Sequence, residues 1–548
     1  MNRVLVIGVD GATMDLIRPW AAEGKLPILK ALMSGGVSGE LESTLPPVTS
    51  PAWPTFSTGK NPGKHGVFDF IVNSQDGFGL VNASSIDGRT LWGLLSDHGA
   101  RVGVVGVPVT YPPMAVNGYM ITGLLSPKGV EISYPPGLLS RYERVLGPYR
   151  VAPSIGYRRG NEEAFLDDLR DLTRQHGDYA VRLMQDEPWD FMMVHFLATD
   201  IVQHALWRFM DSSHPAYDEE GGRRYGDGIQ SIYRMVDEII GRMLDLVGDD
   251  VNVIVMSDHG FGPLHGIVNL NNLLLQKGLL HLKQDLATRT KYALFRHGLT
   301  PARVYRWLEK IGLQSLTWKV SKSARNRVVG KFLSFDDVDW SRTKAYSMGH
   351  VGQVYVNLKG REPSGIVEPG YEYEQVRDEA ATALATLRHP STGNPLVDAV
   401  IKSEEICVGI HTSEGPDLHV VMDGYRYISF PLFATNEEII TSQIRGDSGC
   451  HRLQGVLLAR GPSVLQGQEV RGARILDLAP TILHLMGAAV PVDMDGRVLG
   501  EIIDPAYMEA NPVRYESVQN GFVQGEYELS SGEEQEIKDR LRGLGYLG

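Results

Sequence analysis

Seven side chains in this sequence stand where they could do chemistry: Asp10, Thr49, Asp200, His204, Asp258, His259 and His451. Three apolar runs lead to the carboxylates: VLVIGVD ends at Asp10, FMMVHFLATD at Asp200, and VNVIVMSDH at Asp258 and His259. A short apolar run followed at once by acid and imidazole groups reads as a buried parallel strand that delivers ligands at its carboxyl end. Asp200 and His204 stand four residues apart, a spacing that puts both on one face of a helical turn. His451 lies just before another apolar run, GVLLARG. Oxygen and nitrogen donors without thiolates suit zinc or manganese at hydrolytic centres. Two such sites with a hydroxyl beside them are what two-metal hydrolysis of a phosphoester requires.

Taken singly, these signals are weak. A lone histidine is more often structural, and Asp-x-x-x-His is common. Thr49 by itself reads as a capping residue: Pro46 and Pro47 precede it and Pro51 follows, so the chain is extended before a turn into a helix. At such a corner a hydroxyl faces outward, with backbone N–H groups free to bind an oxyanion. A threonine hydroxyl is a poor nucleophile until something takes its proton, and coordination to a metal does that. The combination carries the reading.

The elements that must position these residues follow an alternating pattern. Strands are expected at 3–9, 102–107, 118–123, 190–196 and 251–256, and helices at 14–34, 161–185 and 225–247. That alternation predicts an α/β fold with a mostly parallel central sheet flanked by helices. Residues 1–265 form the first block of the expected catalytic core, and 404–505 a second block that folds back beside it. Within the second block, DLHVVMD and GVLLARGP read as strands and ILDLAPTILHLMG as a helix. Between the blocks, 266–403 is expected to be an inserted, lid-like subdomain lying over the site, and 506–548 a polar C-terminal tail. Thr300 and Pro301 mark a helix start, with Val304, Trp307, Leu308 and Ile311 on one apolar face. From Lys283 to Lys331 there are twelve Lys or Arg and only two acids, Asp285 and Glu309. This basic segment is a solvated surface, a lure for anionic substrates, or a peripheral contact with anionic lipid.

The gross numbers bound the answer. A chain of 548 residues, 43% apolar, can bury a large core. A net charge of −13 argues against nucleic-acid binding, while bound divalent cations would still admit a phosphate substrate. Two cysteines, Cys407 and Cys450, are too few for a disulfide framework. No stretch approaches the ~20 apolar residues of a membrane span. The start MNRVLVIGVDG enters a strand directly, without the apolar core of a signal peptide. A cytoplasmic location is expected. Oligomeric state is not legible.

The ordered set VDG, TSPAWPTFSTGKNPGKHG, TDIVQH, SDHGF and GCHRLQGVLLARGP resembles the alkaline phosphatase superfamily. Within it, the sequence is most similar to the type I phosphodiesterase/nucleotide pyrophosphatase family, in a prokaryotic branch of predicted phosphohydrolases and phosphomutases. Thr49, Pro51, the Thr58-Gly59 pair and the Pro62-Gly63-Lys64-His65-Gly66 segment match that family's nucleophile motif in register. The resemblance implies one metal held by Asp200, His204 and His451, and another by Asp10, Asp258, His259 and the Thr49 oxygen. The metals would be two divalent ions, zinc by preference or manganese. It further implies attack by Thr49 on phosphorus and a phosphothreonine intermediate that water hydrolyses.

Departures from the family pattern bear on the substrate. The asparagine that usually hydrogen-bonds the phosphoryl group is replaced by Phe70, and a second asparagine position by Ala52. Lys60, Asn61 or backbone N–H groups would then supply that bond. A sulfatase is disfavoured: Thr49 is not a convertible cysteine or serine, and no arginine follows Pro51 in the required place. A phosphomutase or phosphomonoesterase remains the alternative, and a non-catalytic protein binding anionic lipid a remoter one.

Overall fold

The computed structural model describes residues 2–74, 77–298, 333–429, 433, 438–442, 446–517 and 527–544. The chain divides into two compact units. One comprises Met1–Pro263, Cys407–Gly415 and Ser448–Leu544, the other Leu264–Ile406 and Pro416–Asp447.

The first unit is built on a nine-stranded sheet. Its strands are β1 (Arg3–Val9), β2 (Val37–Glu42), β3 (Val102–Val105), β4 (Gly118–Ile121), β5 (Ser133–Tyr134), β6 (Phe191–Phe196) and β7 (Val251–Met256). Two further strands, β8 (Gly260–Pro263) and β9 (Gly449–Arg452), pair antiparallel in a small sheet of their own, and β10 (Gln454–Arg460) and β11 (Gln468–Arg474) complete the large one. The spatial order is β11-β2-β10-β7-β1-β6-β3-β4-β5. The run β7-β1-β6-β3-β4 is parallel throughout. Strand β10 lies antiparallel to both β7 and β2. The sheet is therefore mostly parallel, in a mixed α/β fold.

Strands β3, β6 and β7 are buried at every position, as helices on both faces of a parallel sheet require. Helices α1 (Met14–Ala22), α2 (Pro27–Gly35), α3 (Thr49–Thr58), α4 (Glu162–Asp186), α5 (Ala198–Met210), α6 (Gly228–Leu244) and α7 (Leu478–Leu485) supply those layers. The single helix expected over 14–34 is two, because Pro27 opens a new helix rather than continuing one. Helix α2 has no capping side chain of its own. Instead the buried Asp237 carboxylate on α6 accepts the N–H groups of Ile28 (3.1 Å) and Leu29 (2.7 Å). One core joins Val4, Val6, Trp53, Phe56, Met256, Leu457 and Ile482, tying α3 and α7 to one face of the sheet.

The second unit has its own core around Val354, Val356, Val376, Leu384, Leu418 and Val420. Its four-stranded sheet runs in the order Ala345–Ser347, Gln353–Val356, Leu418–Met422, Val397–Lys402, all antiparallel, with the helix Tyr371–Ala385. The strand in DLHVVMD thus belongs to this unit and not to the second core block, because its hydrogen bonds go to Gln353–Val356 and Val397–Lys402. Asp285 caps a helix over Leu286–Arg296 by accepting the Thr288 N–H. The helix expected from Thr300, with most of the basic segment, lies outside the described residues. Among the described residues no helix is long and apolar enough to cross a membrane.

Candidate active site

Three adjacent strands bring the acids together. β7, β1 and β6 run side by side in the same direction, so their carboxyl ends share one edge. Asp10 follows β1, Asp258 and His259 follow β7, and Asp200 sits in the first turn of α5 after β6. His451 reaches that edge by a different route. Strand β10 is antiparallel to β7, so its beginning lies at the end of β7, and the antiparallel pairing of β8 with β9 sets Phe261 opposite His451.

Asp200, His204 and His451 form one group of donor atoms, and Asp10, Asp258 and His259 another. Within each group the atoms lie within 4.8 Å of one another, and all six residues are buried. In the first, His451 Nε2 lies 3.2 Å from Asp200 Oδ1, and His204 Nε2 lies 3.5 Å from Asp200 Oδ2. In the second, His259 Nε2 is 3.3 Å from Asp258 Oδ2 and 3.6 Å from Asp10 Oδ1. The groups adjoin, with the rings of His259 and His451 stacked at 3.7 Å. Thr49, the first residue of α3 and fully buried, puts Oγ1 3.2 Å from His259 Nε2.

The imidazoles are preset for ligation. Nδ1–H of His204 donates to the Gly449 carbonyl (3.1 Å), that of His451 to Pro47 (2.9 Å) and that of His259 to Gly260 (3.1 Å). Each bond fixes the tautomer and leaves an Nε2 lone pair turned toward the acids. Asp10 Oδ1 and Asp258 Oδ2 are buried and receive no hydrogen bond among the described residues. Such oxygens are costly in a dry interior unless a cation meets them.

The charge balance points the same way. Burial, and then the Asp258 and Asp200 carboxylates, push the Asp10 carboxyl well above its ordinary range. Burial and Asp200 push Asp258 up to about 7. Burial opposes charge on Asp200 as well, but His204, His451 and His259 outweigh it and hold that carboxyl low. Burial lowers His204 to about 4. A cluster short of positive charge, with oriented nitrogen donors and bare carboxylate oxygens, fits two divalent cations.

The rest of the nucleophile motif braces the turn behind Thr49. Gly59 ends α3 in the left-handed conformation, φ 64°. His65 is buried: its Nδ1 accepts the Val67 N–H, and its Nε2 meets Thr55 Oγ1 at 2.8 Å. Burial drives its pKa down to about 3, so the His-Gly pair is a neutral strut. Lys60 pairs with Asp493 at 2.5 Å, and Asn61 bonds Asp495 and the Val408 carbonyl. Phe70 is a buried core side chain. None of the hydrogen bonds or ion pairs of Lys60 and Asn61 runs to the carboxylate–imidazole cluster. Ser50, beside Thr49, has a buried hydroxyl with no hydrogen-bond partner among the described residues.

Two residues at the site went unread in the sequence. His195 Nε2 meets Asp10 Oδ2 at 2.8 Å. The Trp53 indole N–H faces the same carboxylate, short of hydrogen-bond geometry. His195 sits in an apolar strand and Trp53 in a proline-flanked helix, where each reads as core.

Solved structures share this fold. Phosphonoacetate hydrolase from Sinorhizobium meliloti 1021, in complex with phosphonoformate, superimposes with a TM-score of 0.53 at 14% identity, over 89% of this chain and 96% of the other. Murine ectonucleotide pyrophosphatase/phosphodiesterase 5, as an inactive variant in complex with AMP, gives 0.50 at 13% identity, over 92% of this chain and 100% of the other. Its human counterpart gives 0.50 at 14% identity over the same shares. No curated protein sequence matches. The family model that matches its sequence makes the chain a phosphoester hydrolase of the alkaline phosphatase superfamily. The chain belongs to the type I phosphodiesterase/nucleotide pyrophosphatase family, whose sequence model matches residues 4–431. It is a metal-dependent phosphoester hydrolase by that membership.

Proposed function

We propose that Thr49 is the nucleophile of a phosphodiester or pyrophosphate hydrolase, acting at two cation sites made of the two donor groups. The observation that carries this reading is the place of Thr49 Oγ1, 3.2 Å from His259 Nε2 of one donor group, whose ring stacks on His451 of the other. Asp200, His204 and His451 would hold one cation; Asp10, Asp258, His259 and Thr49 the other. Zinc fits this donor set and manganese is the alternative. Bound cations lower the pKa of a hydroxyl or water and offset charge on the transferred phosphoryl group.

The chain's own residues do the rest. In the first displacement Oγ1 of Thr49 bonds to phosphorus as the bond to the leaving oxygen breaks, and the hydroxyl proton passes to solvent. In the second, a water oxygen bonds to phosphorus, the bond to Oγ1 breaks, and Thr49 regains a proton. Thr49 and Ser50 open α3, where first-turn N–H groups lack intrahelical partners. Those groups and the Ser50 hydroxyl are donors for the non-bridging phosphoryl oxygens.

The test is Thr49→Ala in metal-replete protein, with acid-quenched trapping of phosphate on the wild type. Bis-p-nitrophenyl phosphate and p-nitrophenyl phosphate, with and without chelator, serve as substrates. Chelator-sensitive diester hydrolysis, phosphothreonine at Thr49, and loss of turnover with metal retained in the variant are expected. Substantial activity in Thr49→Ala would remove the nucleophile assignment. Metal bound with both esters untouched would turn attention to phosphoryl transfer among sugar phosphates.

A further inference from the structure

We infer that His195 is a positioning residue for the cation group formed by Asp10, Asp258 and His259, an inference that rests on the two-cation reading above. His195 faces Asp10 with Nε2, 2.8 Å from Oδ2, a contact closed by one proton held between the two atoms, since Nδ1 carries the ring's other proton; Oδ1 has no hydrogen-bond partner among the described residues and lies 3.6 Å from His259 Nε2. One carboxylate oxygen is therefore tied down and the other presented. A carboxylate with one oxygen fixed cannot swing about its Cβ–Cγ bond, which sets the direction of the free oxygen's lone pairs.

The ring that does the fixing is itself immobile. Its Nδ1–H donates to the Gly106 carbonyl at 3.0 Å, and the residue is 3% exposed. Trp53 meets it edge to face, centroids 4.8 Å apart at 81°. Trp53 lies one helical turn after Thr49, so the same helix that presents the hydroxyl also walls in the histidine. Room for both rings comes from Gly8, which pairs in register with His195 across β1 and β6. A Cβ at Gly8 would stand 2.7 Å from Trp53 Cη2 and 3.5 Å from His195 Cδ2. A histidine buried only to fill a core has no need to aim a nitrogen at an ionisable ligand. This one uses both nitrogens, one on the scaffold and one on the ligand.

The test uses the full chain, stripped of metal and titrated with Zn2+ against a chromophoric competitor, alongside thermal denaturation. In His195→Asn the shorter amide keeps the Gly106 bond and gives up Asp10. In His195→Gln the amide nitrogen reaches about as far as Nε2. His195→Leu fills the apolar space without a donor and serves where the asparagine costs folding. Wild type should take up two cations. His195→Asn and His195→Leu should bind one as tightly as wild type and the other on the order of 10- to 100-fold more weakly, with His195→Gln recovering most of that loss. Equal weakening of both sites, unchanged affinities, or a glutamine no better than leucine would each overturn the positioning role. A wild type that binds fewer than two cations would instead bring down the two-cation reading itself.

Discussion

His204 Nε2 and His451 Nε2 lie 3.0 Å apart, although 247 residues separate them in the chain. Each ring has its Nδ1–H committed to a backbone carbonyl, so two lone pairs face each other across that gap. Lone pairs held so close repel unless positive charge sits with them, and Asp200 beside both nitrogens calls for the same charge. His451→Ala should therefore abolish one cation site while sparing the other, lowering the metal-to-protein ratio from two to one. Activity should fall by at least about 100-fold, since in-line displacement at phosphorus needs both charges. Elemental analysis beside diester hydrolysis checks this; two metals retained in the variant would exclude His451 as a ligand.

The glycine after Asp10 is fixed by geometry and by space. Gly11 has φ 64°, and a Cβ there would fall 2.9 Å from Phe261 Cδ2 and 3.1 Å from Asp200 Oδ1. Its N–H also donates to Asp258 Oδ1 at 3.3 Å. Gly11→Ala should strain the backbone by about 1–2 kcal/mol and push on both Asp200 and the phenyl ring that meets His204 edge to face. The expected result is weaker binding at both cation sites with the fold retained. A variant with wild-type zinc affinity and activity would show that the turn relaxes at no cost.

Acidification should destabilise the metal-free protein through histidines buried as neutral rings. His176, stacked on Tyr149 and bonded through Nε2 to the Arg150 carbonyl, has its pKa lowered by burial to about 4. The unfolded chain takes up that proton near pH 6.5 and the native state only near 4, so the native state is favoured fully above about 6.5. That advantage fades as pH falls through the window between the two, at up to about 1.4 kcal/mol per pH unit. Melting temperature should drop between pH 7 and 5, and less steeply in His176→Gln. Equal slopes would mean that His176 does not contribute.

Legibility in the sequence followed chain separation and local context. The strands ending at Asp10 and Asp258 and the helical spacing of Asp200 and His204 are local patterns, and the structure puts all four acids and imidazoles they carry at one sheet edge. His451 was legible only because an apolar strand follows it; its arrival depends on the antiparallel run of β10, which periodicity does not specify. Asp237 as the cap of α2, His65 as a neutral strut and His195 behind Asp10 were not legible, since each acts on a partner distant in sequence or reads as core. Lys60 and Asn61 stand close to Thr49 in sequence, but helix α3 lies between, and their polar groups meet Asp493 and Asp495.

That last arrangement makes a prediction of its own. Asp495 gathers the Asn61 N–H (2.9 Å), the Asn61 amide (2.7 Å) and the Lys64 ammonium (2.5 Å), while its own N–H donates to the Gly59 carbonyl (2.9 Å). One carboxylate thereby closes the turn that follows α3 and sets how the helix carrying Thr49 ends. Asp495→Ala strands these donors, at about 1–3 kcal/mol for the buried share of them. Asn61 also bonds Val408 through both amide atoms, so that contact should loosen in turn. The variant should melt several degrees lower, with kcat reduced because the hydroxyl is held less firmly and both cations still bound, since the hydrogen bonds and ion pair of Asp495 among the described residues run to Asn61, Lys64 and Gly59 and to no donor-group residue. Loss of metal along with stability would show instead that the turn supports the cation sites directly.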